Sequence, residues 1–262
     1  MFFAFYLLVA GKITTASVLL IVGTLTKLQA VYFVPLFVIY AIRYFPLKQW
    51  LRGLFYGCLT FVIIWLPFVV LNKNLLLPFN IYLNGSASYP VINVQAFNLW
   101  GAIDPRSMAY VTSIHKNILF GIPFSTLNYI ILICVLTITL TLILVNRENL
   151  PFAGLIYTIS IFTFTMSQHE RYELTTLPFL FLILFLNLNK NDKSFFKIWI
   201  AIDFIIFLNM AYVYTCSFGV LNYSVVVERT LSIFSVAIST YTIILCTKQI
   251  IFFKNSQLRH QH

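Results

Sequence analysis

Charge is what this chain has least of. Only 7 of its 262 residues are Asp or Glu, and charged residues of both signs make up 9% of it, against about 25% in an ordinary soluble domain. That excludes a water-facing globular surface. With 60% hydrophobic residues and a mean hydropathy of +0.91, the composition is that of an all-α polytopic membrane protein. Cysteine is scarce too. Cys58, Cys134, Cys216 and Cys246 each lie inside an apolar run, without CxxC or metal-ligand spacing, so they read as small buried apolar side chains and do not define a compartment. A cleavable signal peptide is also missing. Met1 to Ala10 is apolar but has no basic n-region and no small-residue cleavage site. It is shorter than the roughly 20 residues a bilayer crossing needs. Followed at once by Gly11 and Lys12, it is expected to be the end of a helix that begins upstream. No soluble domain, internal repeat, low-complexity tract or GxxxG helix-packing motif is expected.

What the chain does have is aromatic, with 27 Phe and 15 Tyr suited to lipid-facing and interfacial positions. Hydrophobic runs predict eight spans within a single domain over 1–262: about 13–26, 28–45, 52–71, 126–146, 151–167, 174–188, 197–216 and 229–251. Lys and Arg set their orientation. Lys12, Arg43, Lys48, Arg52, Arg147, Lys190, Lys193, Lys197, Lys248, Lys254 and Arg259 fall on one side. Lys27, Lys73, Arg106, Lys116, Arg171 and Arg229 fall on the other. The positive-inside rule makes the first side cytoplasmic, together with a tail at 252–262. The net charge of +10 is accounted for by this bias, and no nucleic-acid partner is implied. The longest hydrophobic gap, 72–125, is expected as a folded extracytoplasmic loop with interfacial helices.

The densest chemistry is Ser167 to Leu174, S-Q-H-E-R-Y-E-L, a short polar turn between two apolar runs. Three other polar features share its predicted face: T-K-L-Q at 26–29, Tyr89-Pro90 with Asn93, and A-F-N-L-W-G at 96–101. A phosphorylated lipid-linked sugar needs cations for phosphate, flat aromatic and amide groups for sugar, and a carboxylate to move a proton. Lys27, Arg171 and His169 supply the cations. Asn98, Trp100 and Gln29 supply the sugar contacts, and Glu170 or Asp104 the acid or base. Plainer roles are open for each. Lys27 can be a snorkelling anchor and Trp100 part of the aromatic belt. Glu170 and Arg171 can neutralise one another in a turn, and His115 can be an ordinary loop residue. Asp203 is an intramembrane acid beside Trp199 and Lys197, where a local interfacial pair is an equal reading. No metal-ligand set is visible, and no cofactor is called for.

K-L-Q before a proline-bearing helix, then A-F-N-L-W, then H-E-R-Y with a proline shortly after, resembles the polytopic GT-C glycosyltransferases, in the group related to the GPI-anchor mannosyltransferases. The likeness runs from about residue 11 to 190. It implies an enzyme that moves a mannose-like sugar from a polyprenyl- or dolichyl-phosphate donor to an extracytoplasmic acceptor, with inversion. The membrane would be a prokaryotic plasma membrane or the endoplasmic reticulum. By likeness, Lys27, Gln29, His169, Glu170 and Arg171 line the donor pocket, with Asn98 and Trp100 over it. Two departures stand out. The family's principal catalytic carboxylate sits in a first outer loop with no counterpart here, and Glu173 stands where an aliphatic residue often follows the Tyr. The rival readings are a transporter or lipid flippase, and a non-catalytic subunit supporting a membrane partner.

Overall fold

The computed structural model describes residues 1–86, 91–105, 113–116, 121–187 and 193–259. Among these the architecture is helical. The helices are α1 (Phe2–Val9), α2 (Ile13–Thr26), α3 (Val34–Tyr44), α4 (Leu47–Asn72), α5 (Leu77–Ser86), α6 (Leu99–Ile103), α7 (Phe124–Val145), α8 (Leu150–Phe164), α9 (Leu177–Asn187), α10 (Ser194–Ser217) and α11 (Val225–Arg259). No strand forms among the described residues, and extended pairing is limited to isolated bridges.

Among the described residues, four helices are long and apolar enough to cross a bilayer: α4, α7, α10 and the Val225–Ile251 part of α11. Their 22 to 27 residues rise about 33–40 Å, which clears a hydrocarbon core of about 30 Å. The other predicted spans are helical but shorter. α2 has 14 residues, α8 has 15 and α9 has 11. The segment 28–45 opens as a three-ten turn over Leu28–Phe33 before α3 begins. Two helices, α5 and α6, lie within the gap at 72–125. α11 stays helical to Arg259, through most of the stretch expected as a tail.

The chain divides into two compact units, Met1–Tyr89 with Ile143–Leu150, and Pro90–Leu142 with Pro151–His262. In the first unit α2 and α4 pack through glycine. A Cβ added at Gly53 would lie 2.8 Å from Ser17 Oγ and 3.2 Å from Ile13 Cγ1, and one at Gly57 would lie 3.4 Å from Ile21 Cγ1. Gly53 and Gly57 thus stand in the GxxxG spacing that lets membrane helices approach closely, which corrects the expectation above that the chain has no such motif. Gly53→Leu is expected to cost roughly 1–3 kcal/mol through overpacking, seen as a lower unfolding temperature in detergent. Elsewhere α4 exposes Leu54, Phe55, Ile63, Phe68 and Val70, the apolar face a lipid-contacting helix needs. Gly11, at φ +81°, makes the turn from α1 to α2, a backbone conformation that glycine adopts without steric cost.

The second unit is centred on α8. Every residue from Leu150 to Thr163 is buried. A helix apolar on all sides belongs in a core rather than on a surface. Of its polar residues, Thr158 bonds within the helix, its Oγ1 donating to Gly154 O at 3.0 Å. Gly154 leaves room for the ring of Phe179 on α9, which a Cβ there would strike.

Candidate functional site

The polar turn after α8 is built by two non-glycine residues in left-handed conformation, Ser167 at φ 58° and Gln95 at φ 61°. Each costs on the order of 1–3 kcal/mol, and such strain persists only where the surroundings hold it in place. The surroundings here are hydrogen bonds between two loops far apart in sequence. Ser167 N donates to Ile92 O at 3.1 Å, and Val94 N to Gln168 O at 3.2 Å. Ser167 Oγ donates to Val91 O at 2.7 Å. Met166 N donates to Asn128 Oδ1 on α7 at 2.7 Å. Bridges join His169 to Val94 and Gln95. The 91–97 and 166–169 segments are therefore one laced platform.

Asn98 and Trp100 brace this platform. Asn98 is fully buried and caps α6, accepting from the Trp100 and Gly101 N–H groups at 3.0 Å each. Its Nδ2 donates to Phe162 O on α8 at 3.0 Å. Trp100 Nε1 donates to Phe164 O at 2.8 Å, and its ring packs with Ile92, Met166 and, edge-on, Phe124. The side-chain polar atoms of Asn98 and Trp100, proposed for sugar contact, are thus engaged within the protein. Asp104 follows α6, half-buried, with its backbone N–H on Trp100 O at 2.8 Å.

On the platform sits the charged group. Glu170 is buried, with Oε2 3.5 Å from His169 Nδ1 and Oε1 3.2 Å from the Arg171 guanidinium. Burial pushes this carboxyl up. The hydrogen bonds from His169 and from its own backbone, with the charge of Arg171, outweigh burial and hold it below the usual glutamate value. Glu170 is therefore an anion at neutral pH. Arg171 spends one nitrogen on it and leaves its side chain 41% exposed, so much of the fork faces outward. The His169 and Tyr172 rings meet edge-on at 5.0 Å.

Lys27 and Gln29 belong to the first unit; Asn98, Trp100, Asp104, His169, Glu170 and Arg171 belong to the second. The second unit brings the H-E-R and N-L-W motifs together, as just described. Lys27 is exposed and ends α2 with extended backbone, and Gln29 is half-buried in the three-ten turn that follows. His115 is exposed. Tyr89, Pro90 and Arg106 lie outside the described residues. Asp203 is exposed on α10. Among the described residues no three His, Cys, Asp or Glu side chains converge as a metal site would need.

Two residues were missed, Glu228 and Asn209. Glu228, buried in the first turn of α11, accepts from Asn93 Nδ2 at 2.7 Å, while Asn93 Oδ1 accepts from Ala96 N at 3.1 Å. Beside it, Arg229 Nε donates to Ala102 O at 3.1 Å. Asn209 of α10 is fully buried, and with its amide oriented to match its neighbours it donates to Gln95 O and accepts from Phe97 N, both at 2.9 Å. Glu173 is buried with no charge nearby to offset the loss of water, and burial pushes its carboxyl up to about 8. Its Oε2 has no hydrogen-bond partner among the described residues. Glu228 opens an apolar run, and acids at such positions are rare enough to flag. Asn209 gave no signal beyond a polar residue inside an apolar helix.

Compared with known proteins, the chain matches no family model and no curated protein significantly.

Proposed function

We propose that the chain is a membrane glycosyltransferase of the GT-C kind, taking a mannose-like sugar from a polyprenyl- or dolichyl-phosphate donor. The observation that carries this reading is the Glu170–Arg171 pair: a buried anion steadying a guanidinium whose outer face is open. Such a fork offers bidentate donors to a phosphate. The buried carboxylate fixes its direction and lowers the cost of ordering it. His169 braces the carboxylate of Glu170 from its other side, Nδ1 to Oε2 at 3.5 Å, and the strained platform holds the group on rigid backbone. The resemblance of K-L-Q, N-L-W and H-E-R-Y supports the same class, with eight membrane segments and the site on the extracytoplasmic face.

The test uses the chain in lipid nanodiscs with a panel of polyprenyl-phosphate sugars. Arg171→Ala is expected to lower transfer by about 10²–10³-fold, the usual effect of deleting one donor to developing negative charge, while leaving the unfolding temperature near that of the parent. Transfer by Arg171→Ala equal to the parent's would sink the phosphate role. Absence of transfer and of donor binding in the parent would sink the enzyme reading and favour a supporting subunit.

A further inference from the structure

The first 103 residues contain no Asp or Glu. The first unit therefore holds seven Lys and Arg against one acid, Glu148. Most of these cations gather at one end. Gly53 of α4 faces Ile13 and Ser17 of α2, and Gly57 faces Ser17 and Ile21. The two helices thus run parallel, and their starts lie together. Lys12, which precedes α2, shares that end with Lys48 and Arg52 in the opening turns of α4. The corner between α3 and α4 is fastened there to the corner between α7 and α8. Tyr44 Oη donates to Ile143 O at 2.6 Å. Arg43 and Arg147 both act electrostatically on the Tyr44 phenol, and the Arg43 guanidinium lies 5.7 Å from its ring centre.

All five cations are exposed, and among the described residues none is ion-paired; Glu148, next to Arg147, makes no ion pair either. Like charges held on one fixed corner repel. Lys48 and Arg52, four apart on α4, repel further, and Lys48 sits where the helix's own field disfavours a cation. An anion from outside the chain relieves all of these costs together. The same turns of α4 also expose Leu47, Leu51, Leu54 and Phe55. Charge for a headgroup and apolar surface for acyl chains therefore alternate along one stretch, with Trp50 half-buried among them. A soluble phosphate would use the cations and leave the apolar side chains idle.

We propose that this end of the first unit binds the phosphate of an anionic phospholipid headgroup, with Arg43 and Arg147 as its paired forks around Tyr44. Arginine suits the role because its planar donors match phosphate oxygens two at a time, and basic clusters beside a membrane helix draw anionic lipid. The site does not depend on the glycosyltransferase reading and needs no activity to be tested.

The experiment is native mass spectrometry and thermal unfolding of the purified chain in detergent, titrated with phosphatidylglycerol, phosphatidylcholine or inorganic phosphate. The parent is expected to retain phosphatidylglycerol selectively and to melt higher with it. Arg43→Gln with Arg147→Gln should weaken that retention at least tenfold. Lys73→Gln, a cation at the far end of α4, should leave it unchanged. Equal retention of phosphatidylcholine, equal loss in Lys73→Gln, or a double variant that binds like the parent would overturn the proposal. A full thermal shift from inorganic phosphate alone would reassign the site to a soluble anion. Should the double glutamine variant not fold, Arg43→Lys with Arg147→Lys keeps the charge and removes the forks. It should retain phosphatidylglycerol several-fold less well, and retention equal to the parent's would overturn the role of the forks.

Discussion

Replacing Glu173 with glutamine is expected to remove most of the pH dependence of stability between about pH 4.5 and 8. The carboxyl of Glu173 is buried and meets no compensating charge, so its folded-state value rises from 4.5 to about 8. A raised value means that the folded chain keeps a proton that the unfolded chain gives up. The contribution to stability is whole below pH 4.5, where both states are protonated. It declines as the unfolded chain ionises and is lost by about pH 8. Over that window the loss is on the order of 4 kcal/mol. Glutamine copies the shape of the neutral acid and does not titrate, so Glu173→Gln should melt at nearly constant temperature across the window while the parent falls. Glu170 works in the opposite sense. Its value is lowered, so its contribution is present above the ordinary glutamate value and is lost as pH falls through the folded one. Thermal unfolding in detergent from pH 4 to 9 separates the two. Parallel curves for parent and Glu173→Gln would show that Glu173 is hydrated or paired after all.

Asn98→Ala is expected to be the next most damaging change. One amide caps α6 and ties it to α8. Removing the cap costs about 0.5–2 kcal/mol. Leaving a buried carbonyl and N–H groups without partners adds roughly 1–3 kcal/mol. A total of about 1.5–5 kcal/mol is expected, with a red shift in tryptophan emission as Trp100 loses its seat on Phe164. Asn98→Ser keeps a capping oxygen and loses only the donor to Phe162, so it should lose less. If Asn98→Ala melts like the parent, the platform does not depend on α6.

Long apolar runs made most helices legible in the sequence. The spans expected at 126–146 and 197–216 appear at Phe124–Val145 and Ser194–Ser217. α8 ends at Phe164, short of the expected 167, because the chain turns left-handed at Ser167 and Met166 bonds to Asn128. Those bonds join residues 38 and more apart, which no local pattern encodes. H-E-R-Y was legible because four ionisable groups in a chain so poor in charge cannot pass unnoticed. The clamp from Asn93 to Glu228 was not, since its partners are 135 residues apart. Nor was the division into two units, which leaves the grouping of Lys27 with Arg171 resting on motif resemblance.

The burial of α8 has a further meaning. From Leu150 to Thr163 it is solvated by protein on every side, so its hydropathy reports the interior of a fold and says little about lipid. Phe179 of α9 and Phe195 of α10, which pack on it, are translated after it, so part of its permanent surroundings does not exist while it is being made. Until they arrive, Thr158 has only its own helix to turn to, through Gly154 O. The segment that organises the second unit is the one whose environment is finished last.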